Sequence, residues 1–237
     1  MARKRRGRPI DGWIAIDKPA GMTSTQVVGA VRRLLNAAKA GHAGTLDPLA
    51  TGVLPIALGQ ATKTIPHLSL RPKVYWFKLR WGESRTTDDA EGAVIETSDA
   101  RPDRAAILAQ LPRFTGAIAQ VPPAFSAVKV AGERAYDLAR EGTPPALSPR
   151  TVNVHRIELL SMPDRDHAEF RVECGAGTYM RGLARDLARA LGTLGHVAAL
   201  RRLQVGPFVE AGAIALDKLK ELGHIPPPLT PVETVLD

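Results

Sequence analysis

The chain has 237 residues, enough for one large domain or two small ones, each with a core of its own. Hydrophobic residues make up 44% and charged residues 24%, which excludes a disordered chain. A single cysteine, Cys174, excludes an internal disulfide framework and a cysteine-rich zinc site. There is no run of about 18 apolar residues for a membrane span, and no apolar segment follows the basic N-terminus as in a secretory signal. The sequence therefore predicts a soluble protein of a reducing compartment, the cytoplasm.

The formal charge of +8 comes from 32 Lys+Arg against 24 Asp+Glu. Arg3, Lys4, Arg5, Arg6 and Arg8 stand in a stretch that holds no acid, so the remainder is only mildly basic. Such an arm attracts a polyanion regardless of sequence, because each neutralised phosphate releases a counterion. A solvated tail has the same composition.

In chain order, Gly12–Ile16 reads as a strand that ends at Asp17-Lys18-Pro19. Ser24 is positioned to cap a helix with Val27, Val31, Leu34 and Leu35 on one stripe. Residues 41–52, rich in Gly, Thr and Pro, read as a loop, and Val53–Leu58 as a buried strand. Lys73–Trp81 alternates, with Tyr75, Phe77, Leu79 and Trp81 on one face and Lys78 and Arg80 on the other. A helix is predicted over Asp103–Leu111, and residues 120–150 are loop-rich with a short helix near Arg134–Arg140. Strands return at Val152–Leu159 and Ala168–Cys174. Thr178 is placed to cap a helix with Leu183, Leu187 and Leu191 on one stripe and Arg181, Arg185 and Arg189 on another. Leu200–Val205 is a further strand, and Pro226–Pro231 resembles a linker. This order lacks a βαβ rhythm, which favours an α+β fold with a largely antiparallel sheet.

The six histidines show no ligand spacing, and Gly175-Ala176-Gly177 lacks the third glycine of a dinucleotide loop. The segment from Gly41 to Gly52 is different, because small residues there let a substrate approach the backbone. Within it Asp47 has two readings: an Asx-type turn over Leu49, or a catalytic carboxylate.

The stretch from Gly41 to Lys63, GHAGTLDPLATGVLPIALGQATK, resembles the signature of the TruB family of tRNA pseudouridine synthases. Further segments agree in order: Asp17-Lys18-Pro19 with Gly21-Met22-Thr23-Ser24, Lys73–Tyr75, TTDDAEG (86–92) and QVPPAFSAVK (120–129). AYDLAREG (135–142), GTYMR (177–181) and HVAALRRL (196–203) continue the series, so the likeness spans Gly12 to the C-terminus. It implies a pseudouridine synthase fold, a mixed, largely antiparallel sheet flanked by helices with an RNA-gripping insertion. It also implies conversion of a uridine in the tRNA T-loop, position 55, to pseudouridine. That reaction breaks N1–C1′, turns the base and joins C5 to C1′, so neither metal nor cofactor is required.

The resemblance assigns Asp47 as the carboxylate that attacks or stabilises the sugar carbon, and Arg181 as the guanidinium that keeps it ionised and oriented. Without it, Arg181 reads as a solvated helix-face arginine. Tyr75 is implied to stack on the target base and help remove the C5 proton, where the strand pattern alone gives a core tyrosine. Tyr179 and Leu200 match substrate-pocket positions, although Leu200 also reads as ordinary packing. His42 matches the residue beside the flipped base, against the alternative of a loop histidine bonded to backbone. Lys18 and Lys63 are candidate phosphate contacts, or simply solvated lysines; Lys129, Arg134 and Arg140 are such contacts in the insertion.

The predicted organisation is a basic arm at 1–10, a catalytic domain at 11–225 with its insertion at about 120–150, and a linker-like tail at 226–237 without a complete PUA module. Phe125 departs from the family, where a tyrosine is common. The expected partner is tRNA, through its T-arm, with no membrane and a monomeric enzyme. Rival readings are a tRNA-binding chaperone without catalysis, or a synthase acting on another RNA.

Overall fold

The structure of the protein, a computed structural model, describes residues 7–126, 129–130, 133–134, 145–222 and 227–236. The chain divides into two compact units, Met1–Tyr75 with Arg201–Asp237, and Trp76–Leu200.

The first unit opens with β1 (Gly12–Lys18), α1 (Ser24–Leu34), β2 (Ala40–His42), β3 (Thr51–Leu58), α2 (Ile65–Leu70) and the start of β4 (Lys73–Trp81). The cap of α1 is Thr23, not Ser24. Thr23 Oγ1 accepts from Gln26 N (3.2 Å), and Gln26 Oε1 accepts from Thr23 N (2.8 Å), a reciprocal capping box. The stripe Val27, Val31 and Leu35 is fully buried. The expected loop 41–52 is shorter than its composition suggests, because Gly41 and His42 pair with Ala57 and Ile56 of β3.

The second unit takes the rest of β4, then β5 (Glu83–Arg85), β6 (Val94–Thr97), α3 (Arg104–Gln110), β7 (Gly116–Gln120), β8 (Lys129–Val130) and β9 (Glu133–Arg134). It continues with β10 (Arg150–Asp164), β11 (His167–Cys174), α4 (Met180–Ala190) and the start of β12 (Gly195–Val205). Its strand order is β4-β11-β10-β7, with β10 antiparallel to both neighbours. The period-two faces are as the alternation predicts: Phe77 and Phe170 stack with centroids 5.1 Å apart inside it. Asp103 caps α3, its Oδ1 accepting from Ala106 N (2.7 Å). Arg134 lies in β9, paired with Lys129, rather than opening a helix. Residues 135–140, and with them Arg140 and most of the expected helix, lie outside the described residues, as do the side chains of Lys129 and Arg134.

The chain then completes the first unit with the end of β12, β13 (Phe208–Val209), β14 (Ile214–Ala215) and α5 (Leu216–Glu221). There β1 lies between β14 and β3, antiparallel to β3 and parallel to β14. Arg201 and Arg202 of β12 run parallel to Thr51 and Gly52. The fold is mixed α/β with a largely antiparallel sheet flanked by helices.

The described part of the expected linker, residues 227–236, is packed instead. Trp13 and Thr230 exchange both backbone hydrogen bonds at 2.8 Å, and Val235 is fully buried in a cluster with Trp13, Leu68, Val205 and Phe208. Apolar side chains after a proline run found a core to enter, which composition alone does not reveal.

Candidate active site

In the first unit, Asp47 is half-buried in a loop whose backbone is held on both sides of it. Ser24 Oγ donates to Leu46 O (3.1 Å) and accepts from Leu46 N (2.8 Å), which is why this serine is not the helix cap. On the other side, Pro48 O accepts from Gly21 N (2.9 Å) and from Lys18 Nζ (3.2 Å). Ala50 N closes the turn onto the Asp47 backbone carbonyl (3.1 Å), and Ala43, Leu46 and Ala50 anchor the loop by burial. Fixing both neighbours costs conformational entropy at folding and leaves the Asp47 backbone little freedom.

Lys18 is therefore not a phosphate contact. It is fully buried, and Nζ donates to Pro19 O (2.8 Å), Met22 O (2.6 Å) and Pro48 O (3.2 Å). An ammonium has three protons, and these carbonyls tie β1 and the 19–22 turn to the Asp47 loop. Lys63 is exposed at the end of the turn Gly59–Lys63 and stays open to an anion. Tyr75 retains 8% of its surface, where Phe77, Leu79 and Trp81 further along β4 retain none. The neighbouring Lys73 donates to Ser69 O (2.7 Å) and Arg71 O (2.8 Å).

His42 ends β2, half-buried, with Nδ1 buried and lacking a hydrogen bond among the described residues. Burial, helped by the positive charge of Arg202 and opposed by a backbone hydrogen bond with Gly44, holds its pKa below the ordinary value. It is thus a neutral imidazole near pH 7. Arg202 is itself buried, its Nε donating to Val53 O (2.8 Å) and Nη2 to Gly44 O (3.1 Å). Gly44 has φ +83°, and a Cβ there would lie 3.3 Å from the Arg202 guanidinium, so the position favours glycine.

In the second unit, Arg181 is not a solvated helix arginine. It is 4% exposed on the first turn of α4; Nη1 donates to Thr87 O (3.1 Å), Nη2 to Phe125 O (2.8 Å), and Nε lies 3.7 Å from Asp89 Oδ2. Asp89, also buried, accepts from Thr87 Oγ1 (2.5 Å) and Glu91 N (3.0 Å). One helical turn on, Arg185 pairs with Asp88 (2.8 Å) and Asp186 (2.9 Å) and donates to Val121 O (2.7 Å). Burial raises the Asp88 pKa, against the pull of Arg185. Only Arg189 of the arginine stripe is exposed.

The start of α4 is fixed from a distance. Thr178 does not cap it; its Oγ1 donates to Gly175 O (3.1 Å). Instead the buried amide of Gln120, at the end of β7, accepts from Tyr179 N (2.9 Å) and donates to Tyr179 O (3.1 Å). Tyr179 is half-buried, and Leu200 is buried in β12. Sequence reasoning left Ser24, Asp89, Gln120 and Arg202 without these roles, although all four stand in segments quoted for the resemblance. The described residues contain no group of three or more His, Cys, Asp or Glu placed to hold a metal, and no helix long and apolar enough to cross a membrane.

Two family models match: TruB family pseudouridylate synthase (N terminal domain) over residues 32–180, and tRNA pseudouridylate synthase B C-terminal domain over 181–237. The chain is 66% identical over 217 residues to tRNA pseudouridine synthase B of Gluconacetobacter diazotrophicus, covering 92% of this chain and 71% of that one. It is 57% identical over 242 residues to the protein of the same name in Bradyrhizobium diazoefficiens, covering 99% and 70%. Among solved structures it is similar to a Cbf5-Nop10-Gar1 complex, with TM-score 0.72, 31% identity, and coverage of 94% of this chain and 61% of that chain. It is also similar to an H/ACA RNP bound to a substrate RNA containing 2'-deoxyuridine, with TM-score 0.70, 29% identity, and coverage of 99% and 67%. With both family models matched end to end across residues 32–237, the chain belongs to the TruB family of tRNA pseudouridine synthases.

Proposed function

We propose that the enzyme converts the T-loop uridine at position 55 of tRNA to pseudouridine, with Asp47 as the group that acts on the sugar. The observation that carries this reading is the loop itself: both residues flanking Asp47 have their backbones pinned by side-chain or main-chain hydrogen bonds. A carboxylate held in this way is preorganised for charge that develops at C1′.

In the proposed course, the uridine is flipped out of its stack, at a cost of a few kcal/mol, and His42 meets the RNA beside the vacated position. Neutral His42 is suited to stacking on a base or accepting a hydrogen bond. The Asp47 carboxylate attacks C1′ or stabilises its positive charge while N1–C1′ breaks. The base turns, C5 bonds to C1′, and the C5 proton leaves as N1 gains one, so the product is an isomer of the substrate. Arg181 supplies the guanidinium that keeps the carboxylate ionised in the substrate complex. Tyr75 stacks on the base; a phenol with an ordinary pKa of about 10 is a poor base, so stacking is its main role. Tyr179 and Leu200 are further contacts to the substrate, and Lys63 contacts backbone phosphate. The enzyme works as a cytoplasmic monomer.

The test is to incubate unmodified tRNA transcript with wild-type and Asp47→Asn protein and map pseudouridine chemically. Modification at position 55 by the wild type alone is expected. Modification elsewhere, or equal modification by the variant, contradicts the reading.

A further inference from the structure

Charge is unevenly distributed along the chain. Residues 1–71 hold eleven Lys+Arg and three Asp+Glu, so they carry the entire net charge of +8; residues 72–237 hold 21 of each. The three acids of the first segment are already engaged or set apart. Asp11 accepts from Gln60 N (2.7 Å), Asp17 forms a two-pronged pair with Arg201 (3.0 and 3.0 Å), and Asp47 belongs to the site loop.

Lys18 is buried against the Asp47 loop and Arg71 ends α2, but Arg8, Arg32 and Arg33 lie at one end of α1, and Lys63 ends a turn joined to the chain there. Arg32 and Arg33 form the basic last turn of α1 and are exposed. Ala37 N donates to Arg32 O (2.9 Å) and Asn36 N to Arg33 O (3.1 Å), which folds the chain back at the helix end. Arg8 joins there: Arg8 N donates to Asn36 O (2.6 Å), and Ala38 N donates to Arg8 O (3.0 Å). Gly7 permits this approach, since at φ +125° a Cβ would meet Ala38 N at 2.8 Å. Lys39 O then accepts from Gly59 N (3.0 Å), the first residue of the turn that ends in exposed Lys63. Among the described residues Arg32, Arg33 and Lys63 make no ion pair. A helix C-terminus favours one or two cations, but not a collection drawn from three separate segments.

We propose that Arg8, Arg32, Arg33 and Lys63 form a phosphodiester-binding surface at the C-terminal end of α1, distinct from the Asp47 loop at its N-terminal end. Ser24 touches that loop through Leu46, and nine residues at about 1.5 Å each set Arg33 about 14 Å along the helix. The surface therefore takes RNA backbone a few nucleotides from the reacting uridine, and the backbone bonds of Arg8 to Asn36 and Ala38 hold Arg8 within it. The surface rests on the RNA substrate proposed above, and it supplies affinity rather than chemistry.

The experiment measures tRNA binding by the full chain as a function of salt, without reference to turnover. Arg32→Ala/Arg33→Ala is compared with Arg104→Ala/Arg171→Ala, which removes the same charge from exposed positions of the second unit. The first pair is expected to bind several-fold more weakly, with a salt slope shallower by about 1.5, since each lost phosphate contact removes roughly 0.7–0.9. Arg8→Ala is expected to remove about half of that. Equal slopes for the two double variants, or an unchanged slope in both the double variant and Arg8→Ala, would overturn the surface. Failure of the catalytic reading appears separately, as a wild type that binds tRNA but forms no pseudouridine.

Discussion

Replacing Gln120 by methionine keeps its volume and removes both hydrogen bonds to the Tyr179 peptide, at 2.9 and 3.1 Å. Each bond contributes about 1 kcal/mol net, and leaving a buried partner unpaired adds about 1–3 kcal/mol. Tyr179 is only half-buried, so water restores part of that, and a loss of about 2–3 kcal/mol follows. At roughly 2–4 °C per kcal/mol for a chain of this size, Tm should fall by about 5–10 °C. The functional effect should be larger than the stability effect explains. Arg181 stands two residues into the helix that Gln120 fixes, and a misplacement of about 1 Å costs about 100-fold in rate. Single-turnover pseudouridine formation, below the Tm of the variant, should therefore drop about 10- to 100-fold with tRNA affinity within about twofold. Ile107→Val, a core truncation in the same unit costing about 1 kcal/mol, is the control and should keep its rate. A Gln120→Met enzyme that melts earlier but reacts at the wild-type rate would refute the reasoning.

Ser24→Ala removes both bonds to Leu46 while leaving the Thr23 cap intact, so helix content should hold while kcat falls about tenfold; a normal kcat would show that the loop does not depend on this pin. Arg181→Lys keeps the charge but loses the planar fork that reaches Thr87 O and Phe125 O together, and should lose far more turnover than affinity for tRNA, as separate binding and single-turnover assays would report. His196 is buried with Nδ1 donating to Glu83 O (3.1 Å), and burial lowers its folded pKa from the ordinary 6.5. The folded state then binds fewer protons than the unfolded one, so this stability is present above pH 6.5 and is lost as pH falls below it, by at most about 1.4 kcal/mol per unit. His196→Asn, which keeps a donor near Nδ1, should flatten the dependence of Tm on pH between 6.5 and 5; an unchanged profile would remove His196 as its source.

The elements legible in the sequence are those written in local pattern. The alternation of β4 and β11 survives intact because one face of each enters an apolar interior, and the helix expected over Asp103–Leu111 forms as α3, with Asp103 as its cap rather than its first turn. What failed was chemistry settled at long range. Thr23 and Ser24 are adjacent hydroxyls, and serine is ordinarily the better cap; the choice fell to Leu46, 22 residues beyond Ser24, which takes the serine hydroxyl. Gln120 caps a helix 59 residues away, a pairing that no window on the sequence contains. Lys18 looked like a surface cation because lysines are seldom fully buried, yet three carbonyls enclose it. The candidate site was legible mainly through resemblance: spacing alone left Asp47 between a turn and a catalytic carboxylate and gave Arg181 a solvated face. Burial of Arg181 against Thr87, Asp89 and Phe125 overturns the second of these on physical grounds.

The central claim is that the Asp47 carboxylate performs the chemistry from a loop already in place. It is tested most directly with tRNA carrying tritium at uridine C5, mixed with excess enzyme. Wild-type protein should release the label from one uridine per tRNA, whereas Asp47→Asn, equal in size and shape, should bind the tRNA and release none. Label release by the asparagine variant at a comparable rate would contradict the account.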